Sequence, residues 1–323
     1  MDKKDNNSEM KKKSRTVSRR CFLGTMAALG GSILLGDIQA SAYEEFSGWP
    51  DRYGMLTDLT ACVGCRSCEK ACNEVNNLPP PEVPFDEKSV FKEKRRPTAH
   101  AYTVVNRYEN PQDKDRPIYR KVQCNHCNEP ACASACPIHA YTKTPEGPVL
   151  YDPEKCFGCR YCMIACPFYV PAYDYESAFE PRIVKCIMCY GRIKDGLIPA
   201  CAEACPVEAI TFGKRDDLIK LARKKIMQNP DRYIDHIYGE YEAGGTSWLY
   251  ISGVPFEQLD FPTDISDKPP IEHVEGFLSA VPVVLTVWPA LFGTIYASLR
   301  HRENLEEENN QNRKKEEERK DES

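Results

Sequence analysis

Cysteine spacing constrains this chain more than any other feature. Of the 17 cysteines among its 323 residues, all but Cys21 fall into four groups of four. The groups are Cys62-x2-Cys65-x2-Cys68-x3-Cys72, Cys124-x2-Cys127-x4-Cys132-x3-Cys136, Cys156-x2-Cys159-x2-Cys162-x3-Cys166 and Cys186-x2-Cys189-x11-Cys201-x3-Cys205. The chain must therefore adopt a fold that accommodates four similar groups of four cysteines.

The intervals within each group fit iron–sulfur clusters. Three cysteines two residues apart wrap a loop around three corners of a cubane, and the N–H groups of that loop can point at the sulfurs. The fourth cysteine, three residues later, lies on a short helical turn that faces away and reaches a neighbouring cluster. The third group matches the bacterial ferredoxin run through Pro167, and the first lacks only the final proline. The repeat therefore predicts four [4Fe–4S] clusters.

Other uses of cysteine fit this spacing less well. Structural zinc takes C-x-x-C pairs, without a third and a fourth cysteine at these offsets. Cysteines this close together cannot all reach distant disulfide partners. No C-x-x-C-H occurs, so c-type haem attachment is unsupported. The formal net charge is −5 and no basic stripe with interleaved aromatic residues is present, so we expect no nucleic-acid partner.

The N-terminus has the three parts of an export signal. Basic residues in Lys11–Arg15 precede a twin-arginine pattern at Arg19 and Arg20, and a mild apolar stretch follows. Ala40-Ser41-Ala42 is typical of a cleavage site. We therefore predict a twin-arginine signal peptide over residues 1–42, with an amphipathic helix as the alternative. Export in the folded state agrees with loading of clusters in the reducing cytoplasm, where thiols stay free.

The C-terminus holds a second apolar stretch. Residues 277–299 carry no charge, and 23 residues are enough to span a hydrocarbon core. Arg300, His301 and Arg302 follow at once, so the positive-inside rule places the C-terminal end in the cytoplasm and the body on the periplasmic face. A buried core helix is the alternative. Residues 303–323 are almost all charged or amide, which predicts a disordered tail.

Short patterned segments lie between the cysteine groups. Ala140–Lys143 and Val149–Asp152 flank a Pro-Glu-Gly turn and predict a hairpin. Ala209–Gly213 predicts a strand, and the apolar periodicity of Lys214–Gln228 predicts a helix.

Two stretches lack such patterns. Residues 74–119 form an insertion rich in proline and charge, and residues 229–270 are irregular and punctuated by proline. We expect 229–270 to cover the cluster core or to contact a partner. A plain loop is an equal alternative for both stretches.

Two basic residues lie beside the cysteines. His126 falls between Cys124 and Cys127, and Lys185 precedes Cys186. Either can tune a cluster potential through charge or a hydrogen bond to sulfur. A packed or solvated neighbour without such a role is the alternative that we favour for both. The apolar span contains no histidine, so it offers no haem ligand of that kind.

The motif pattern resembles a known family. Four ferredoxin-type motifs with a long x11 gap in the last are similar to the electron-transfer subunits of the dimethyl-sulfoxide and polysulfide reductase type. A narrower resemblance, to HybA-type ferredoxin-like subunits of membrane-bound [NiFe]-hydrogenases, runs from residue 18 to 302. It rests on Gly54-Met55-Leu56, Gly158-Cys159-Arg160-Tyr161-Cys162-Met163, and Gly244-Gly245-Thr246 with Gly253-Val254-Pro255.

The resemblance implies a fold class and a set of ligands. It implies an α+β, tandem bacterial-ferredoxin-like core, a double 2[4Fe–4S] domain over residues 43–270, with one C-terminal transmembrane helix. In this family the first motif pairs with the fourth and the second with the third. The implied ligand sets are Cys62, Cys65, Cys68 and Cys205; Cys124, Cys127, Cys132 and Cys166; Cys156, Cys159, Cys162 and Cys136; and Cys186, Cys189, Cys201 and Cys72. No ligand position is replaced.

The resemblance also implies partners on both sides of an electron-transfer chain. One is an extracytoplasmic catalytic subunit, which could be a hydrogenase, a molybdenum enzyme or a multihaem cytochrome. The other is an integral membrane subunit that reacts with quinone. The residues themselves favour a non-catalytic subunit, because no nucleophile, triad or phosphate loop is visible. A self-contained oxidoreductase and a purely structural cluster protein are the alternatives.

Overall fold

The structure is a computed structural model that describes residues 51–176 and 182–321, with side chains except at 275–279 and 316–321. The predicted signal peptide, with Arg19 and Arg20, lies outside the described residues. The strands are β1 Tyr53–Asp58, β2 Val104–Tyr108, β3 Ile118–Val122, β4 Tyr141–Lys143, β5 Val149–Tyr151, β6 Ala172–Tyr173, β7 Ile183–Val184, β8 Ile210–Lys214 and β9 Trp248–Ile251. The helices are α1 Ser67–Val75, α2 Ala131–Ser134, α3 Tyr161–Ala165, α4 Tyr190–Lys194, α5 Ala200–Glu203, α6 Arg215–Gln228 and α7 Glu272–Asp321. This mixture of helix and strand agrees with the expected α+β class.

A three-stranded sheet supports the first and fourth cysteine groups. Strand β1 lies in its middle, antiparallel to β8 and parallel to β9, so that Met55 pairs with both Phe212 and Trp248. Side chains alternate between the two faces of a strand. Trp248 and Tyr250 therefore pack toward the cysteines, whereas the other two residues of β9 face α6.

The sheet also corrects one expectation. Residues 229–270 do not lack regular structure, because β9 and two short 3-10 turns, Glu242–Gly244 and Phe256–Leu259, lie within them. All four residues of β9 are buried. A strand covered on both faces shows no alternation of apolar and polar residues, which is why periodicity does not reveal it.

Helix α6 covers the far face of the sheet. Leu218, Ala222 and Ile226 recur every four residues and pack against Leu56 and Leu249. The strand predicted at 209–213 and the helix predicted at 214–228 are both confirmed, as β8 and α6.

The predicted hairpin after the second cysteine group is confirmed. Strands β4 and β5 pair antiparallel, with Tyr141 opposite Tyr151. Its turn contacts the sheet, because the N–H of Tyr53 donates to the carbonyl of Glu146 at 2.7 Å. Gly147 has a φ of +115°, and a Cβ there would lie 2.5 Å from the Tyr53 carbonyl oxygen. The turn therefore requires glycine.

The insertion at 74–119 contributes ordered structure. It contains a 3-10 turn, Ser89–Lys92, and β2, and it ends as the chain enters β3. Strands β2 and β3 pair antiparallel, with Val105 opposite Lys121. The insertion thus builds a hairpin that ends just before the second cysteine group.

Helix α7 contains the apolar stretch. Within it, the segment Ala280–Lys315 is long and apolar enough to cross a membrane. None of the most apolar part of this segment is buried against the rest of the described chain. The hydroxyl of Thr286 donates to the carbonyl of Pro282 at 2.9 Å, next to a proline inside the helix. The helix continues to Asp321, so the charged stretch whose composition predicts a disordered tail is helical up to that residue. Glu, Lys and Arg are good helix formers, and i,i+4 pairs such as Arg302–Glu306 support the polar end.

Candidate iron–sulfur centres

Four sets of cysteine side chains converge in the structure, and each set combines two of the sequence groups. The first lines a pocket between α1, β1 and the start of β8. Its thiols come from Cys62, Cys65, Cys68 and Cys205. Of these, the Cys65 residue is exposed.

The second and third sets lie in the half of the fold built around the hairpin β4–β5. One pocket is lined by Cys124, Cys127, Cys132 and Cys166. A neighbouring pocket is lined by Cys136, Cys156, Cys159 and Cys162. The exposed member of these two sets is Cys159.

The fourth set joins α1 to the last cysteine group. The Cys72 sulfur is close enough to Cys186, Cys189 and Cys201 for their charges to act on it. Helix α1 packs directly on α5, and this contact brings Cys72 and Cys201 together. All sixteen cysteines of the described residues thus line one of these three pockets or lie close to Cys72, Cys72 itself included.

One backbone turn recurs in all four groups. The residue two positions after the first cysteine has a positive φ, at Gly64 (66°), His126 (50°), Gly158 (79°) and Met188 (52°). At the last three of these positions the N–H points at the sulfur of that first cysteine, over 3.3–3.4 Å. A left-handed turn is what directs the amide into the loop, although only two of the four residues are glycine.

Further N–H groups point at the fourth cysteines of two groups. The amide of Ala140 donates to the Cys136 sulfur, and that of Ala209 to the Cys205 sulfur, each at 3.3 Å. Hydrogen bonds of this kind stabilise negative charge on sulfur. The turns therefore suit sulfurs that carry charge.

Burial works against isolated thiolates in the same pockets. It raises the pKa of Cys62, Cys166 and Cys186 to about 11, and it raises that of Cys68 and Cys132 further. A thiolate in such surroundings needs a positive partner, and iron supplies one. Four cysteines grouped together, with amides aimed at sulfur, fit a [4Fe–4S] cluster.

Buried basic residues accompany the cysteines. Lys185 is 2% exposed, lines the second pocket, and donates to the carbonyls of Val149 (2.5 Å) and Cys186 (3.2 Å). His126 is fully buried, and its Nδ1 accepts from the N–H of Val149 at 2.9 Å. Burial, followed by the charge of Lys185, holds the His126 pKa well below its usual value, so the ring is neutral.

Sequence reasoning missed a third basic residue. Lys121 on β3 is also 2% exposed and lines the first pocket. It lies three residues before Cys124, at the end of the charged stretch Asp113–Lys121, whose composition predicts a position at the surface. The pairing of β2 with β3 directs this side chain into the protein, and no local sequence pattern predicts its burial.

The fold and the pockets together define a ferredoxin-like iron–sulfur protein. A family model described as "4Fe-4S dicluster domain" matches residues 117–215. This protein therefore binds [4Fe–4S] clusters, and its chemistry is electron transfer.

Comparison with known proteins identifies the family. The chain is 49% identical over 295 residues to a protein of Nitratidesulfovibrio vulgaris, covering 90% of this chain and 80% of that one. It is 34% identical over 296 residues to the hydrogenase-2 operon protein HybA of Escherichia coli O157:H7, covering 81% and 89%. It is also 34% identical over 200 residues to the formate dehydrogenase-O iron–sulfur subunit of Escherichia coli K12, covering 61% and 65%. The chain belongs to the HybA-type family of iron–sulfur subunits.

Proposed function

We propose that this protein relays electrons through four [4Fe–4S] clusters, between an extracytoplasmic catalytic subunit and a quinone-reactive membrane subunit. The observation that carries the proposal is the convergence of the sixteen thiols in four sets. Bound clusters would each accept and release one electron. The chain itself supplies the thiolate ligands, the amides that point at sulfur, and apolar surroundings that keep water out.

The four sets are the ligand sets that we propose. They are Cys62, Cys65, Cys68 and Cys205; Cys124, Cys127, Cys132 and Cys166; Cys156, Cys159, Cys162 and Cys136; and Cys186, Cys189, Cys201 and Cys72. The first and third sets each include an exposed residue, Cys65 and Cys159. We propose these two sets as the places where electrons enter and leave, because an exposed cluster edge lies within reach of a partner.

We further propose that the protein lies on the periplasmic face, held by one helix with its C-terminus in the cytoplasm. The twin-arginine pattern at Arg19 and Arg20 supports export, and the apolar stretch of α7 supports the anchor. Arg300 and Arg302 at the end of that stretch support the orientation.

The catalytic partner has three candidates. One relative is named for a hydrogenase operon, another for formate dehydrogenase, and a third for a probable dimethyl sulfoxide reductase. A hydrogenase is favoured, because HybA matches over 89% of its length. A molybdenum enzyme and a multihaem cytochrome are the alternatives. Proteins that co-purify with the tagged full chain from its own membrane, identified by mass spectrometry, distinguish the three.

Metal analysis tests the cluster count. We expect about sixteen iron atoms and as many sulfides per chain after anaerobic purification. Replacing one ligand, as in Cys201→Ser, should remove or convert one cluster. A fully loaded wild-type chain with markedly less iron would contradict four clusters.

A further inference from the structure

Lys121 has unusual surroundings for a charged side chain. Its ammonium donates one hydrogen bond, to Gln123 Oε1 at 3.1 Å. It also lies 4.5 Å from the ring centroid of Trp248, which is itself fully buried. An ammonium group carries three donors and is strongly hydrated in water. Within the described residues, this buried ammonium has Gln123 Oε1 and the Trp248 ring face as its neutral partners.

The negative partners of Lys121 are cysteine sulfurs. The groups that act most strongly on its ammonium are Cys201, Cys68 and Cys186, followed by Cys72, and no carboxylate is among them. The ring face of Trp248 and the Oε1 of Gln123 both favour the charged form of this ammonium. The lysine also lines the first pocket, together with Cys62, Cys65 and Cys68.

The sulfurs around Lys121 belong to two different sets. Cys68 belongs to the first set, and the other three belong to the fourth. Lys121 also lowers the pKa of Cys62 and Cys189 through its charge. The ammonium thus lies between two neighbouring centres and acts on both.

We propose that the buried charge of Lys121 raises the reduction potentials of the two clusters held by the first and fourth sets. The proposal rests on the ligand sets proposed above. Reduction adds an electron to a centre that four thiolates already make anionic. A fixed positive charge in a medium of low dielectric constant stabilises the reduced form, and the strength of this effect depends on burial.

Two other lysines lie beside cysteines but differ from Lys121 in exposure or in position. Lys155 is adjacent to Cys156 in sequence, but its side chain is 58% exposed and pairs with Asp152 at 3.0 Å. Lys185 is buried as well, but it lines the pocket of the second set and its charge acts on Cys132 and Cys166 there. Lys155 is therefore a matched control, since water screens its charge although it stands beside a ligand.

An EPR-monitored redox titration of the purified full chain tests the proposal. In Lys121→Met, two of the four one-electron components should move to lower potential. At a fixed potential, the ratio of oxidised to reduced cluster should change at least tenfold for these two components. A tenfold change corresponds to a shift of 59 mV in the reduction potential of a one-electron couple. Lys121→Arg, which keeps the charge, and Lys155→Met should each stay within about twofold of wild type.

Several outcomes would overturn the proposal. One is four unmoved components in a Lys121→Met chain with wild-type iron content, and another is an equal shift in Lys155→Met. Loss of iron in both Lys121→Met and Lys121→Arg would indicate a packing role instead. If only Lys121→Met loses iron, the test passes to Lys121→Gln, which removes the charge but keeps a hydrogen-bond donor. In that variant the same two components should move to lower potential. A wild-type chain with fewer than four redox components would contradict the proposed cluster count. It would leave the role of Lys121 testable, because the shift is measured on the components that are present.

Discussion

Glu69 Oε1 accepts a hydrogen bond from Arg95 Nη2 at 2.6 Å, which links the first cysteine group to the insertion. Glu69 lies on α1 between Cys68 and Cys72, and it is 5% exposed. The same carboxylate accepts from Arg66 at 3.1 Å and from the N–H of Val105 at 2.6 Å. One buried acid therefore holds α1, the loop before β2 and β2 itself in a fixed arrangement.

Removing this acid should destabilise the first and fourth centres. In Glu69→Ala the buried Arg66 guanidinium loses its carboxylate, and leaving a buried charge unpaired costs about 3–5 kcal/mol. We expect a lower midpoint for thermal loss of the visible cluster absorbance. Glu74→Ala, whose carboxylate on the same helix is 64% exposed, is the control and should change little. Equal midpoints for the two variants would contradict this assignment.

Gly64 should tolerate no side chain. It has a φ of +66°, and a Cβ there would lie 2.3 Å from the ring of Tyr119. Gly64→Ala therefore combines backbone strain, about 1–2 kcal/mol, with a steric clash against a β3 side chain. We expect reduced iron content, measured per chain. Gly196→Ala has a similar φ of +75° with open space around it, so it tests the strain alone and should retain its iron.

The sequence predicts what is local in this molecule. Ligand spacing, the hairpin at 141–151 and α6 are each encoded within a dozen or so residues, and each is present in the structure. The roles of Lys121 and Glu69 depend instead on which strand or loop covers them. Both are charged residues that sequence rules place at the surface. Their burial follows from the β2–β3 hairpin and from β9, neither of which shows a periodic pattern.

The ion pair between His236 and Glu242 should make stability depend on pH. The Nε2 of His236 lies 2.8 Å from Glu242 Oε1. The hydrogen bond with Glu242 raises the His236 pKa above 6.5. Burial opposes ionisation of Glu242, but hydrogen bonds from His236 and the main chain hold its pKa below 4.5.

These shifts set the pH window of the effect. A raised histidine pKa stabilises the folded state below about pH 6.5, and this contribution is lost as pH rises through the folded-state value. The lowered Glu242 pKa makes its contribution present above about pH 4.5 and lost at lower pH. The unfolding midpoint of His236→Gln should therefore fall furthest below wild type between these two values and approach it at pH 8. His273→Gln, an exposed histidine, should track wild type throughout, and a deficit that is the same at every pH would contradict an ionic origin.

Helix α7 should account for membrane attachment. Its apolar side chains are exposed, and Leu285, Trp288 and Phe292 are each more than half exposed, so the described part of the chain leaves them to another apolar environment. A chain that ends at Ile271 should retain its iron and leave the membrane fraction without detergent. A chain that ends at Arg302 keeps the apolar stretch and should stay in the membrane. Expression without partner subunits, followed by a carbonate wash, separates insertion from attachment through a partner. Retention of the shorter chain in the washed membranes would contradict the role assigned to α7.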